Sequence, residues 1–166
     1  MRHIVSILLQ NEAGALSQVA GLFSTRGYNI ESLSVAPTED PLLSRLTLVT
    51  IGSDQVIQQI NKQLFKLIDV VNIADMTMGD HIERELILLK VSLHDGNDGA
   101  VRDLIKAEGA RVLDDTPANF TVELTGTGAR VDDFIDQLRG HADILAVVRS
   151  GPMAISRGET VLSATL

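Results

Sequence analysis

The chain opens on an apolar run, IVSILL, that stops at the polar QNEAG. A β-branched and aliphatic run of this length predicts a buried strand over residues 4 to 10. Leu16, Val19, Ala20 and Phe23 then recur at i, i+3, i+4 and i+7, the stripe of an amphipathic helix. Gly27 stands where a left-handed residue would end that helix. NIESLSVAP reads as a second strand, TEDPLLS with Pro37 and Pro41 as a turn, and the alternating RLTLVTIG as a third strand, so that the two form a hairpin. Ser53 or Asp54 caps a second helix striped by Val56, Ile60, Leu64 and Leu67, and DVVNIADM supplies a fourth strand ending near Met76. The order is βαββαβ.

The second half repeats that order. ELILLKVSL is a strand, Asn97 or Asp98 caps a helix through Val101, Leu104 and Ile105, and ARVLDD and NFTVELTG are strands. A helix with Val131, Phe134, Ile135 and Leu138 leads to a last strand, ILAVVRSG. Displacing the chain by 82 residues sets Gly14 on Gly96, Val19 on Val101, Leu22 on Leu104 and Gly27 on Gly109. Because glycines and aliphatics are common, the repeated element order carries more weight than these identities. The expected fold is α+β, two ferredoxin-like βαββαβ domains over residues 1–76 and 84–166 with a linker at 77–83.

Composition narrows the chemistry. The apolar runs are far shorter than the roughly 18 residues of a membrane helix, and MRHIVSILLQNE lacks the form of a secretory signal, so a soluble cytoplasmic protein is expected. No cysteine is present, which removes thiolate nucleophiles, disulfides and cysteine zinc sites. A net charge of −8 argues against a nucleic-acid backbone as partner, and 3% aromatic content leaves few bases for stacking. RNA binding on this topology would also need aromatics on the central strands, and RLTLVTIG has none.

His3, His81, His94 and His141 lack metal-ligand spacing and are expected to be exposed at element ends. The acidic pairs 114–115 and 132–133 read as solvated faces, without EF-hand spacing. No serine lies in a GxSxG elbow, and neither glycine loop, NEAGA or LTGTGARVDD, has the lysine and hydroxyl of a P-loop. An acylphosphatase-like hydrolase would need an arginine in the loop after the first strand, and LLQNEAGA has none. Independent catalysis and a bound metal are not expected.

One stretch keeps a functional reading. A strand ending at Asn11, followed by Gly14 and a helix start, presents backbone N–H groups and the positive end of a helix dipole. Gly14 admits close approach, Asn11 offers donor and acceptor to an amino acid zwitterion, and Ala13, Ala15, Leu16 and Ile30 suit a small aliphatic side chain. The plainer reading is that Asn11 caps the helix and Gly14 turns the chain. The pattern alone leaves both open.

The run NEAGALSQVAGLFSTRGYNIESLSVAPTED closely resembles the opening of the small regulatory subunit of acetolactate synthase, also called acetohydroxyacid synthase. LSRLTLVT, QINKQLFKLIDV, HIERELILLKV and VRSGPMAISRG extend the resemblance over nearly the whole chain. It implies that the first domain is an ACT domain that pairs with a second copy, and that a branched-chain amino acid, L-valine, binds between the two. By resemblance, Asn11, Gly14, Ala15 and Leu16 come from one protomer and Asn29 and Ile30 from the other. The resemblance further implies a non-catalytic subunit that activates a large catalytic subunit and confers valine feedback in branched-chain amino acid biosynthesis. Thiamine diphosphate, Mg and FAD would belong to that catalytic subunit, with no cofactor on this chain. A free-standing ACT-domain amino acid sensor is the alternative. The second domain departs from the pattern, with Leu93 opposite Asn11 and an acidic loop HDGND, so it is expected to bind no valine and to serve dimerisation or subunit contact. ISRG resembles the family's tail, and Arg157 in it is a candidate contact.

Overall fold

The computed structural model describes residues 1–165. The chain divides into two compact units, Met1–Ile82 with the segment from Pro152 onward, and Glu83–Gly151. The first contains β1 (Arg2–Gln10), α1 (Ala15–Thr25), β2 (Ile30–Pro37), β3 (Leu43–Ile51), α2 (Asp54–Leu64) and β4 (Val70–Asp75). Its strands run antiparallel in the order β2-β3-β1-β4. The second is built from β5 (His81–Leu93), α3 (Asp98–Ala107), β6 (Arg111–Asp115), β7 (Asn119–Gly126), α4 (Gly128–Arg139) and β8 (Ala142–Arg149), in the equivalent order β6-β7-β5-β8. A short β9 (Met153–Ser156) follows. The fold is the α+β, twice-repeated βαββαβ arrangement that the periodicity predicts.

The repeat extends to backbone conformation. Gly14 and Gly96 have φ of +91° and +83°, and Gly27 and Gly109 have +71° and +70°. These angles belong to the left-handed region, which an L side chain enters at a cost of about 1–2 kcal/mol. A left-handed glycine therefore stands at or just before the start, and just after the end, of the first helix of each unit. Val19 and Val101, also related by the repeat, are both fully buried.

Alternation along β1 explains the layering of the first unit. Val5, Ile7 and Leu9 pack with Val19 and Phe23 of α1, Leu46 and Leu48 of β3, and Ile57, Ile60 and Leu64 of α2. Ile4, Ser6 and Leu8 point to the opposite, helix-free face, yet they too are buried. There Ile4 packs with Val49, Met76 and Ala154. The expected 84–166 domain therefore ends early, because burying Ala154 draws the segment from Pro152 onward into the first unit. The expected linker is also shorter, since β5 begins at His81.

Other local expectations shift for physical reasons. In α1 the inward face is Ala15, Val19 and Phe23, while Leu16 lies toward solvent. α2 ends at Leu64, so Leu67 packs against the core from beyond the helix. Ser53 is the cap of α2, its side chain accepting from the Val56 N–H at 3.3 Å. Asn97 occupies the cap position of α3, but its amide donates instead to the His141 carbonyl at 3.0 Å. His3 is buried rather than exposed, its Nε2 lying 3.2 Å from the Gly52 carbonyl.

In the second unit, Ile87, Leu89 and Val91 of β5 pack with Val101, Phe120, Val122, Leu124 and Phe134. At the border of this core, buried Glu85 meets Arg149 with its Oε1 2.6 Å from Nη2, and Arg149 Nη1 also reaches Asp132 at 2.7 Å. Burial pulls the Arg149 pKa down, but hydrogen bonds to Asp132 and Glu85 outweigh it and hold the guanidinium above its usual range.

Replacing Gly27 by Ala is expected to destabilise the protein by about 1–2 kcal/mol through its positive φ. Gly21→Ala inside α1, where an added Cβ meets nothing within 4 Å, should stabilise it by about 0.5–1 kcal/mol. Urea titration of both variants checks the two signs. Arg149→Met strands a buried carboxylate and should cost about 3 kcal/mol, whereas adding Glu85→Leu should recover most of that loss. Equal instability of the single and double variants would contradict this account of the pair.

Candidate functional site

The stretch around Asn11 is built where β1 leaves the sheet. The Gln10 N–H donates to the Asp69 carbonyl and the Asn11 N–H to the Leu42 carbonyl, each at 2.8 Å. The loop is thus held by the residues that lead into β4 on one side and into β3 on the other. The Asn11 side chain adds a third tie, its Nδ2 donating to the Pro41 carbonyl at 2.9 Å. That contact removes the capping reading, because the amide turns toward the β2–β3 turn and not toward the helix.

α1 starts from Gly14, with no side-chain cap and no acidic residue in its first turn. The Ala15 N–H reaches the Glu12 carbonyl at 3.3 Å, and the Gly14 carbonyl accepts from the Gln18 N–H at 3.0 Å. The positive end of the helix therefore faces outward without a carboxylate of its own, an arrangement that favours an incoming anion. Nothing lies within 4 Å of where a Gly14 Cβ would stand, so a ligand can approach the backbone there. Ala15 is buried beneath the loop, while Asn11 and Leu16 are exposed beside it.

Asn29 and Ile30 lie elsewhere. The Asn29 carbonyl accepts from Thr50 Oγ1 at 2.6 Å, and Asn29 itself is exposed. Ile30 is half-buried and pairs with Thr50, which in turn pairs with His3 at the start of β1. Gln10 lies seven residue steps along β1 from His3, or about 23 Å of extended chain. The structure therefore brings Asn11, Gly14, Ala15 and Leu16 together at one end of the sheet and places Asn29 and Ile30 at the other. Sequence reasoning missed the carbonyls of Pro41 and Leu42, which frame the loop. Their only signal was the turn that Pro41 announced.

The second unit repeats the framing without the chemistry. The Leu93 N–H donates to the Ala118 carbonyl at 2.8 Å, as Asn11 does to Leu42, but leucine brings no amide. His94 beside it lies 3.0 Å from Asp143, and Asp95 is exposed. A polar depression on this unit is lined by Asp98, Arg102, Asp115, Thr116 and Pro117. Its only cation, Arg102, is already engaged by Asp115 at 2.9 Å and Asp98 at 3.2 Å, and it lies 4.4 Å above the Phe120 ring. The hydrogen bond to Asp115 raises the Arg102 pKa against a smaller opposing effect of burial. Two carboxylates on one guanidinium make this a poor anion site. Among the described residues, no group of three or more His, Asp or Glu is arranged to hold a metal ion, and no helix is long and apolar enough to cross a membrane.

Comparison with known proteins also matches the two halves of the chain separately. A family model described as "AHAS small subunit-like ACT domain" matches residues 5–72, and one described as "Small subunit of acetolactate synthase" matches residues 84–158. The chain is 46% identical over 162 residues to the acetolactate synthase isozyme 3 small subunit of Escherichia coli, covering 98% of this chain and 99% of that one. A probable acetolactate synthase small subunit of Methanothermobacter thermautotrophicus is 38% identical over 163 residues, covering 96% and 95%. The crystal structure of the acetolactate synthase small subunit from Thermotoga maritima superposes with a TM-score of 0.86 at 32% identity, covering 96% of this chain and 99% of that one. With both halves matched in order and the whole length aligned, the chain belongs to the family of acetolactate synthase small subunits.

Proposed function

We propose that the chain, as a regulatory subunit of this family, activates a separate large catalytic subunit and transmits feedback inhibition by valine in branched-chain amino acid biosynthesis. The chain works in the cytoplasm as a homodimer joined through its ACT domains. Valine binds between the two copies, at Asn11, Gly14, Ala15 and Leu16 of one and Asn29 and Ile30 of the other. Its carboxylate takes the N-terminus of α1, whose first turn holds no acidic residue. Thiamine diphosphate, Mg and FAD act on the catalytic subunit, and this chain carries none of them. The second unit binds no valine, because Leu93 replaces the asparagine and Asp95 would repel a carboxylate.

The observation that carries this reading is the separation of the two half-sites within one chain, with an open edge strand between them. β2 is one of the two edge strands of its sheet, and the one that runs between the ends where the two groups of residues lie. An edge pairs readily with a second chain, and a two-fold axis makes the pairing antiparallel. Antiparallel pairing of β2 with β2 would set the Ile30 end of one strand beside the Pro37 end of the other. Pro37 pairs with Ser44, on the side of the sheet where Leu42 holds Asn11. Two residues about 23 Å apart in the chain would then meet at one end of the joined sheet. Regulation follows by linkage: valine inhibits by binding the less active arrangement more tightly, with a typical coupling of about 1–3 kcal/mol.

Calorimetric titration of the purified chain is expected to show saturable binding of L-valine, and sizing should give a dimer. Asn11→Ala and Asn29→His should each weaken binding by about tenfold or more, since each removes a hydrogen bond to a charged ligand worth about 1.5–3 kcal/mol. Normal valine affinity in both variants would contradict the assignment. Co-purification with the large subunit, and its activation on mixing, tests the partnership separately.

A further inference from the structure

The segment from Pro152 onward is held at both ends of the helix-free face of the first sheet. At the end near Ile4, Ala154 is buried with Ile4, Val49 and Met76. The Arg157 N–H donates to the Asp80 carbonyl at 3.0 Å, and its Nε lies 3.2 Å from Asp80 Oδ1. At the other end, Arg45 Nη2 donates to the Leu162 carbonyl at 2.9 Å, and Asn72 Nδ2 to the Ser163 carbonyl at 2.8 Å. Arg45 and Asn72 are the two neighbours of Leu8, on β3 and β4 respectively. Two successive carbonyls are therefore clipped on either side of Leu8, which is only 3% exposed. Between the two anchorages lies Ser6, whose buried Oγ has no hydrogen-bond partner. After β9, which pairs with β5, the described residues form no further strand, and the segment behaves as a strap held at Arg157 and at Leu162–Ser163.

The clip lies beside an irregularity of the sheet. The β1–β4 register shifts between Leu8 and Leu9, an irregularity that interrupts the ladder one step from Asn72. Beyond this break, β1 keeps the Leu9–Val70 pairing and the Gln10 N–H bond to Asp69 on the β4 side, while on the β3 side its ladder runs to Gln10–Leu43 and is followed by the Asn11 N–H bond to Leu42. Asn72 is three residues from Asp69, and Arg45 is three from Leu42. By joining Arg45 to Asn72, the strap fixes the spacing of the two chain segments that carry the loop.

We propose that Arg45 and Asn72 are positioning residues for the Asn11 loop, acting through the strap: with the strap clipped, the loop is held in its binding geometry, and with the strap released, the loop loosens and binds its effector more weakly. The valine part of this inference rests on the function proposed above, whereas the positioning of the loop does not. An effector that binds the clipped form better would in turn tighten the strap, because coupling between two equilibria is reciprocal.

The test uses the full chain, with the paired substitution Arg45→Ala and Asn72→Ala, the conservative Arg45→Lys, and a chain stopped after Glu159, which leaves both side chains in place. Hydrogen exchange is read at the Gln10 and Asn11 amides, and valine affinity and melting temperature are measured alongside. The paired variant and the shortened chain should both speed exchange at Gln10 and Asn11 and weaken valine binding by about tenfold, within the usual range of site coupling. Neither should melt as a protein that has lost its core, and Arg45→Lys, which keeps a donor, should stay near wild type. Exchange at Gln10 and Asn11 unchanged in the shortened chain would overturn the proposal, whether or not valine binds. Faster exchange in variants of a chain whose wild type binds no valine would uphold the positioning role and count against the effector assignment instead.

Discussion

The first unit depends on β1 being buried on both faces. One face packs against α1 and α2, and the other is covered at Ile4 by Ala154 and at Leu8 by the strap. A one-residue slip of a central strand covered twice would exchange its two buried faces and misfit the packing on both. Its end point is thereby fixed, and Asn11 stands at that end point. The position of the candidate site follows from the packing of the strand that leads to it, and the carbonyls of Asp69 and Leu42 complete the support.

The two units show one fold carrying different side chains at the same position. Both place a left-handed glycine at or just before the cap of their first helix, and both tie the end of the central strand to the turn before the third strand through one backbone hydrogen bond. In the first unit an amide follows that bond, and the first turn of the helix carries no acidic residue. In the second a leucine stands there, the nearby side chains are acidic, and the cations of this unit that have well-defined partners are already paired, Arg102 with Asp98 and Asp115, Arg149 with Glu85 and Asp132. Charge compensation inside the second unit favours a structural task, and an open dipole in the first favours a ligand.

The element order was legible throughout, because strands and helices of this length write their period directly into the apolar positions. The 82-residue repeat was legible too, and its glycines proved to share their backbone conformation. The α1 stripe was displaced by one position because alanine buries as readily as leucine, so Ala15 could stand inward while Leu16 did not. The packing of the segment after Pro152 was not legible. It rests on one small side chain, Ala154, and on backbone carbonyls that any sequence would supply. The tie from Asn11 to Pro41 joins residues 30 apart and leaves no periodic trace. His3 was misread for a similar reason, since only the third dimension shows the Gly52 carbonyl beside it. The residues assigned to the effector came from family resemblance, and the fold explains why two groups of them lie so far apart.

The central claim is that each effector site takes Asn11 from one copy and Asn29 from the other, and mixing variants tests it most directly. Asn11→Ala chains and Asn29→His chains are combined, refolded or exchanged into mixed dimers, and titrated with L-valine. A mixed dimer has one site carrying both lesions and one carrying neither, so the account predicts that normal affinity returns at half the wild-type stoichiometry. If mixing restores no binding, while each variant alone has lost it, the two asparagines serve the same chain and the shared site is wrong.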